Sequence, residues 1–163
     1  MKNRKLLFFF LLFFFSEKVV EAQPTQGQFA EELALPSVNG DTIRLSSLKG
    51  KVVLLDFWAS WCGPCRVSNK SLVKLYSKYK GKGFEILGVS LDDNVRNWKA
   101  AIKQDKITWL QVNEAGVWTS QTVDTWAISA IPTSYLIDKD GRLLAMDLEG
   151  KELEKALKYL LDK

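Results

Sequence analysis

The chain has 163 residues, with 23 Lys and Arg against 19 Asp and Glu, no histidine and two cysteines, for a formal charge of +4. That is enough chain for one domain with a proper core; two cysteines without histidine argue against a zinc site, which wants four nitrogen or sulfur ligands, so no metal is expected. Residues 1–22 contain four basic and two acidic side chains, so the remainder carries only +2, and its basic residues form no stripe; nucleic acid is not an expected partner.

Lys2, Arg4 and Lys5 precede an unbroken apolar run, Leu6 to Phe15, and Val20-Glu21-Ala22 offers short side chains where a signal peptidase reads. The pattern predicts a signal peptide over 1–22, cleaved after Ala22. An apolar helix of that length covers roughly 15 Å, half of a ~30 Å hydrocarbon core, so a spanning helix is not expected. Glu17 and Lys18 make the stretch before the cut unusually charged, and an uncleaved leader tethering the protein to the membrane is the alternative. No cysteine follows the run closely enough to carry a lipid at a mature N-terminus. The expected location is outside the cytoplasm, in a bacterial periplasm.

Residues 23–28 read as a flexible lead-in rich in Gln, Pro, Thr and Gly, with the domain proper over 29–163. Glu32 to Pro36 and Thr42 to Leu45 alternate apolar and polar residues around the turn Asn39-Gly40-Asp41, which predicts a β-hairpin. Ser46 to Gly50 is a short turn into a strand over 51–58, apolar on both faces as a parallel strand covered on each side would be. A helix follows over 63–80, with Leu72, Leu75, Tyr76 and Tyr79 at helical spacing and Gly81 and Gly83 ending it. Phe84 to Leu91 is the next strand. Asp92 or Asp93 is placed to cap a helix over 94–105 that buries Val95, Trp98 and Ile102. Trp109 to Val112 reads as a short strand and Thr119 to Trp126 as a short helix. Ser134 to Ile137 and Leu143 to Met146 flank Asp138-Lys139-Asp140-Gly141, a strong hairpin turn. Glu152 to Asp162 closes the chain as an amphipathic helix. This order predicts an α/β fold with a mixed sheet and helices on both faces.

The chemistry-bearing stretch is Trp61-Cys62-Gly63-Pro64-Cys65, at the junction of the central strand and the following helix. Cysteines so close make a poor structural staple, because closing a tiny loop removes little entropy from the unfolded chain. They suit a disulfide that opens and closes by thiol exchange. At a helix start, the Cys62 sulfur faces unpaired N–H groups and the positive end of the helix dipole, both favouring the thiolate. Cys65, one turn inward, is the natural resolving thiol, and Pro64 suits a first turn because it has no N–H to lose. Covalent haem attachment would need histidine after the second cysteine, where Arg66 stands.

Ile131-Pro132-Thr133 precedes an apolar strand; a cis proline there would pack against the disulfide and leave neighbouring backbone free for an extended substrate. Asp56 is anomalous inside a buried strand, where a charged carboxylate is costly. Burial would raise its pKa and let it exchange a proton with Cys65 through a water; the alternative is that Asp56 marks a frayed, solvated strand end, and its six-residue spacing to Cys62 favours the functional reading. Trp61 belongs to the substrate-facing rim, whereas Trp98, Trp109, Trp118 and Trp126 are expected in the core.

Together the Trp61–Cys65 motif, Asp56 upstream and Ile131-Pro132-Thr133 downstream resemble the thioredoxin superfamily. The leader and the hairpin ending in Leu48-Lys49-Gly50-Lys51 narrow the likeness to exported TlpA/ResA-like thiol-disulfide oxidoreductases, over about residues 29–163. The resemblance implies a thioredoxin fold with an N-terminal β-hairpin extension, Cys62 as nucleophile, Cys65 as resolving thiol, Pro132 as cis-proline and Asp56 as buried acid. It further implies that Trp61, Gly63, Pro64, Ile131 and Thr133 touch substrate, and that no cofactor is needed beyond the Cys62–Cys65 disulfide. Partners would be protein thiol or disulfide clients and a membrane thiol electron donor. The Gly-Pro dipeptide between the cysteines is that of thioredoxins that reduce their clients. Many TlpA/ResA-like proteins carry glutamate three residues after the second cysteine, often with a proline shortly beyond; here Ser68 and Lys70 stand there. The expected function is an exported disulfide reductase. The rivals are a disulfide-forming oxidase, a thioredoxin-fold module that binds without turnover, and a peroxidase, whose reactive cysteine normally lacks a partner two residues on.

Overall fold

A computed structural model describes residues 24–162, the Val117 side chain excepted; the signal peptide expected over 1–22 lies outside the described residues. In chain order the elements are β1 (Ala34–Pro36), β2 (Thr42–Arg44), β3 (Val52–Trp58), α1 (Gly63–Tyr79), β4 (Phe84–Ser90), α2 (Val95–Gln104), β5 (Leu110–Asn113), α3 (Gln121–Thr125), β6 (Thr133–Ile137), β7 (Leu143–Met146) and α4 (Gly150–Leu161). β1 and β2 pair as a separate two-stranded hairpin, and the other strands form one sheet in the order β5-β4-β3-β6-β7. β3 is parallel to β4 and antiparallel to β6, so the sheet is mixed.

Every residue of β3 and of β4 is buried, as two-sided coverage demands. Side chains alternate between two cores. On one face Leu54, Trp58 and Ile86 pack with Leu72 and Tyr76 of α1, Leu153 and Leu157 of α4, and Trp98 of α2. On the other, Val53, Leu55 and Phe57 meet Leu33, Leu45 and Leu48 beside the hairpin and Val123, Trp126 and Tyr135 around α3. The sequence-predicted architecture, a mixed sheet flanked by helices with an N-terminal hairpin, is the one observed. Among the described residues no helix is long and apolar enough to cross a membrane.

Several local details differ from expectation. α2 is capped by Asn94, whose side chain accepts from the N–H groups of Arg96 and Asn97, rather than by Asp92 or Asp93; Asp92 is buried and bonded elsewhere. Val95 then falls on the solvent side of α2, while Trp98 and Ala101 face the core. Trp118 is exposed rather than packed inside, unlike Trp98, Trp109 and Trp126. Part of the expected lead-in is tied down: Gly27 N–H donates to Leu143 O, Leu143 N–H to Gln28 O and Ala30 N–H to Gly141 O, covering the edge of β7. An edge strand left open would carry unpaired backbone groups, and this pairing satisfies them.

One close approach positions the site face. Gly88 of β4 lies between Asp56 of β3 and Gln111 of β5 in the sheet register. The Gln111 side chain lies across Gly88, filling the space a Cβ would need, and its Oε1 accepts from Trp58 Nε1 at 3.0 Å. Gly88→Ala is therefore expected to destabilise the fold by about 1–3 kcal/mol through overpacking. Adding Gln111→Ala should recover part of that loss, a non-additivity that urea unfolding of the two single variants and the double variant would measure.

Candidate functional site

The buried end of β3 delivers the chain to α1 through Ala59, Ser60 and Trp61, and this short connection is fastened on two sides. Asp92, at the end of β4, accepts from Ser60 N–H at 2.8 Å and from the Ser60 hydroxyl at 2.6 Å, and also from the Ser90 hydroxyl. Arg66, in the first turn of α1, grips Asp105 after α2 through two nitrogens and donates to Ser60 O at 3.2 Å. Asn69 adds a bond to the same Asp105 carboxylate. The planar guanidinium suits this paired contact, which aligns α1 against α2. The sequence reading passed over this clamp, because Arg66, Asn69 and Asp105 are separated in the chain and each alone reads as a solvated helix residue.

Within that frame Cys62 is the N-cap of α1 and Pro64 lies in its first turn. Cys62 and Cys65 form a disulfide. The Cys62 sulfur accepts from Cys65 N–H at 3.2 Å, one of the N–H groups that a helix start leaves without a backbone partner. Both cysteines are largely covered, Cys65 more than Cys62, and Trp61 beside them is 56% exposed. A Cβ at Gly63 would meet nothing within 4 Å, so the surface beside the disulfide is open there.

The Ile131–Pro132 peptide is cis and immediately precedes β6. The Ile131 carbonyl oxygen lies 3.8 Å from the Cys62 sulfur, which brings together residues 69 apart in sequence. Thr133 is buried, and its hydroxyl donates to Ala130 O, bracing the turn that carries Pro132. The structure thus brings the Ile131 carbonyl, just before cis-Pro132, against Cys62, with Trp61, Gly63 and Pro64 flanking the disulfide in the chain and Thr133 bracing the turn behind Pro132.

Asp56 shares the face of β3 with Leu54 and Trp58, which pack in the same core cluster as Cys65. It lies at the floor of a groove of about 330 Å³ walled by Ser68 and Leu72 of α1 on one side and Asp147 and Glu149 on the other, with Pro132 also contributing. Burial, reinforced by the negative charges of Glu149 and Asp147, pushes the Asp56 carboxyl up to about 7. The other buried acid of the sheet, Glu85, is met by the Tyr76 hydroxyl at 2.9 Å and Lys51 Nζ at 3.2 Å; Asp56 has no such side-chain bond among the described residues. Ser68 and Lys70, the departures from the family pattern, put an uncharged hydroxyl on the groove wall and an ammonium outside it. Among the described residues no group of three or more His, Cys, Asp or Glu is arranged to hold a metal ion.

The model of the AhpC/TSA family matches residues 26–146. A thiol-disulfide oxidoreductase ResA from Bacillus cereus (strain ATCC 10987 / NRS 248) is 30% identical over 174 aligned residues, covering 100% of this chain and 98% of the relative. Among solved structures, a thiol-disulfide oxidoreductase from Bacteroides fragilis NCTC 9343 is 37% identical with a TM-score of 0.77, covering 82% of this chain and all of the other. A thiol:disulfide interchange protein from Bacteroides sp. is 32% identical with a TM-score of 0.79, covering 86% of this chain and 92% of the other. With a matching family model across most of the fold, full-length likeness to oxidoreductases of this kind and a paired Cys62–Cys65 at the start of α1, the chain belongs to the AhpC/TSA family of the thioredoxin superfamily and is one of its thiol-disulfide oxidoreductases.

Proposed function

We propose that the protein reduces disulfides of client proteins outside the cytoplasm. The observation that carries this reading is the Cys62 sulfur at the N-cap of α1, bonded to Cys65 N–H and facing the Ile131 carbonyl before cis-Pro132. When the pair is reduced, the same N–H and the helix dipole stabilise a thiolate on Cys62 over the thiol. That thiolate attacks one sulfur of the client disulfide, forming a mixed disulfide and releasing the other client sulfur as a thiolate. Cys65, having lost its proton, then attacks Cys62; the Cys62–Cys65 disulfide closes and the second client thiol leaves. The client gains two electrons, and a membrane dithiol donor would return two electrons to the pair. Trp61, Gly63, Pro64, Ile131 and Thr133 form the contact surface, with backbone beside Pro132 available to an extended client segment.

In this reading Asp56 takes the proton that Cys65 sheds. A carboxyl poised near neutrality both accepts and returns a proton at working pH, and Asp56 lines a groove against α1, the helix that bears Cys65; a bridging water would complete the path. Export rests on the leader pattern over 1–22, with residues 29–163 acting as one domain behind it in the periplasm, and the Cys62–Cys65 disulfide serving as the sole redox group.

Insulin reduction in the presence of a chemical dithiol donor should be abolished by Cys62→Ser, while Cys65→Ser should accumulate mixed disulfides with clients. The reduction potential should lie toward that of thioredoxin, about −270 mV; a value toward that of DsbA, about −120 mV, would reverse the assigned direction. Peroxide consumption should be negligible beside disulfide reduction.

For Asp56, the resolving step in stopped-flow thiol exchange should rise with pH through neutrality, as the carboxylate forms. Asp56→Asn should flatten that rise and slow the step by about tenfold or more near neutral pH. Identical kinetics across the neutral range would remove Asp56 from the mechanism.

The same carboxyl makes stability depend on pH. Its folded-state value of about 7 lies above the ordinary 3.8, so between those values the folded chain holds the proton more tightly than the unfolded one. Stability is therefore lost as pH rises through that window, and the full cost is felt above it. In the disulfide form, Asp56→Asn should be near neutral at about pH 4 and stabilising by on the order of 2–4 kcal/mol at about pH 8, read by urea unfolding.

A further inference from the structure

The groove over Asp56 has a second acidic wall that the reaction as written does not use. Ser134 of β6 is the direct register partner of Asp56. Ser134 in turn is clasped by Asp147 just beyond β7: Ser134 N–H donates to Asp147 Oδ1 at 2.7 Å, and Asp147 N–H donates to Ser134 O at 2.8 Å. Asp147 adopts a left-handed backbone conformation, φ +52°, which Asp and Asn tolerate better than most residues. The chain turns there, so that Glu149 comes to line the same groove before α4 begins. Asp56, Ser134 and Asp147 thus form one lateral row, and the Asp147 carboxylate is anchored at one oxygen rather than swinging in solvent.

We propose that Asp147 and Glu149 are positioning residues that act through Asp56, Asp147 by way of the Ser134 row and Glu149 from the groove wall, and that together they form the acidic mouth through which the Asp56 proton exchanges with water. The inference rests on the proposed role of Asp56. Other charges face the groove. Lys74 and Lys78 come from α1, and Lys151 and Glu154 from α4; β4 offers only Gly88 opposite Asp56. Lys78 is paired with Glu154 at 2.6 Å, so its charge is largely offset. Lys74 and Lys151 are exposed, as Asp147 and Glu149 are, so water and salt screen all four; what sets Asp147 apart is its tie to the sheet through Ser134. Asp147 is tied to the row through Ser134, Glu149 lines the same groove, and both press the Asp56 carboxyl upward beside the larger effect of burial. A neighbouring carboxylate raises another because two like charges near a low-dielectric core cost more than one.

The test reads Asp56 itself rather than turnover. In the disulfide form, where neither cysteine titrates, the 13Cγ shift of Asp56 is followed against pH in the unaltered protein, in Asp147→Asn and in Glu149→Gln. Asn keeps an acceptor for Ser134 N–H and suits the left-handed backbone, so the charge is removed while the row stays built. Each variant should move the Asp56 midpoint to lower pH by about half a unit, and raising the salt to about 1 M should lower it in the unaltered protein more than in the double variant. Kinetically, Asp147→Asn should shift the pH dependence of the resolving step to lower pH, and should do nothing once Asp56→Asn is present. Midpoints unchanged in both folded variants would overturn the inference, as would an Asp56 that titrates like an ordinary carboxyl in the unaltered protein. Failure of the Asp56 mechanism would look different: the midpoint would shift as expected while the resolving rate ignored it.

Discussion

Burial of β3 on both faces is the constraint from which the rest of this structure follows. Its residues are shut between two cores, so the strand has no freedom to slip without moving a whole apolar set to the wrong side. A fixed strand fixes two things at once. Its exit sets where α1 starts, and therefore where the Cys62 sulfur meets a free N–H. Its alternation sends Asp56 to the face shared with Leu54 and Trp58, under the helix that bears Cys65.

The exit is short, and precision there comes from polar contacts rather than apolar packing. Asp92 holds Ser60 from the sheet side, and Arg66 ties α1 to the end of α2 while touching Ser60 O. A loop held by charge-assisted bonds at both ends keeps the disulfide close to the Ile131 carbonyl, although Ile131 arrives from the far side of the sheet. The sulfur pair is largely covered, with Trp61 exposed beside it.

Two buried acids on the same sheet illustrate how surroundings assign roles. Glu85 is met by a tyrosine hydroxyl and a lysine, and reads as a structural tie between α1, the sheet and Lys51. Asp56 has no side-chain hydrogen bond among the described residues, and its groove is lined by serine hydroxyls, by Asp147 and Glu149, and by charged side chains of α1 and α4. The same chemical group is bonded into the scaffold in one place and left ready to exchange a proton in the other.

By itself the sequence determined the elements whose signals are local: the all-apolar strand, the hairpin turns at Asn39-Gly40-Asp41 and Asp138 to Gly141, the three helices with apolar spacing (α1, α2 and α4), and the Cys-Gly-Pro-Cys motif at a strand-to-helix junction. It also marked Asp56, because a carboxylate in a buried strand contradicts its context. Only the tertiary structure decided what depends on distant partners. Asn94 displaced Asp92 as the cap of α2 because Ser60 and Ser90 had already engaged the Asp92 carboxylate. That choice of start turned Val95 outward. Trp118 emerged at the surface because aromatic character predicts burial only on average. Asp147 and Glu149 carried no signal at all, since exposed acids before a helix are ordinary until the fold ties Asp147 to Ser134, the register partner of Asp56, and brings Glu149 to the same groove. Residue type and spacing encode backbone preference along the chain, whereas charge acts through space, and the neighbours that matter to a carboxyl are chosen by the fold.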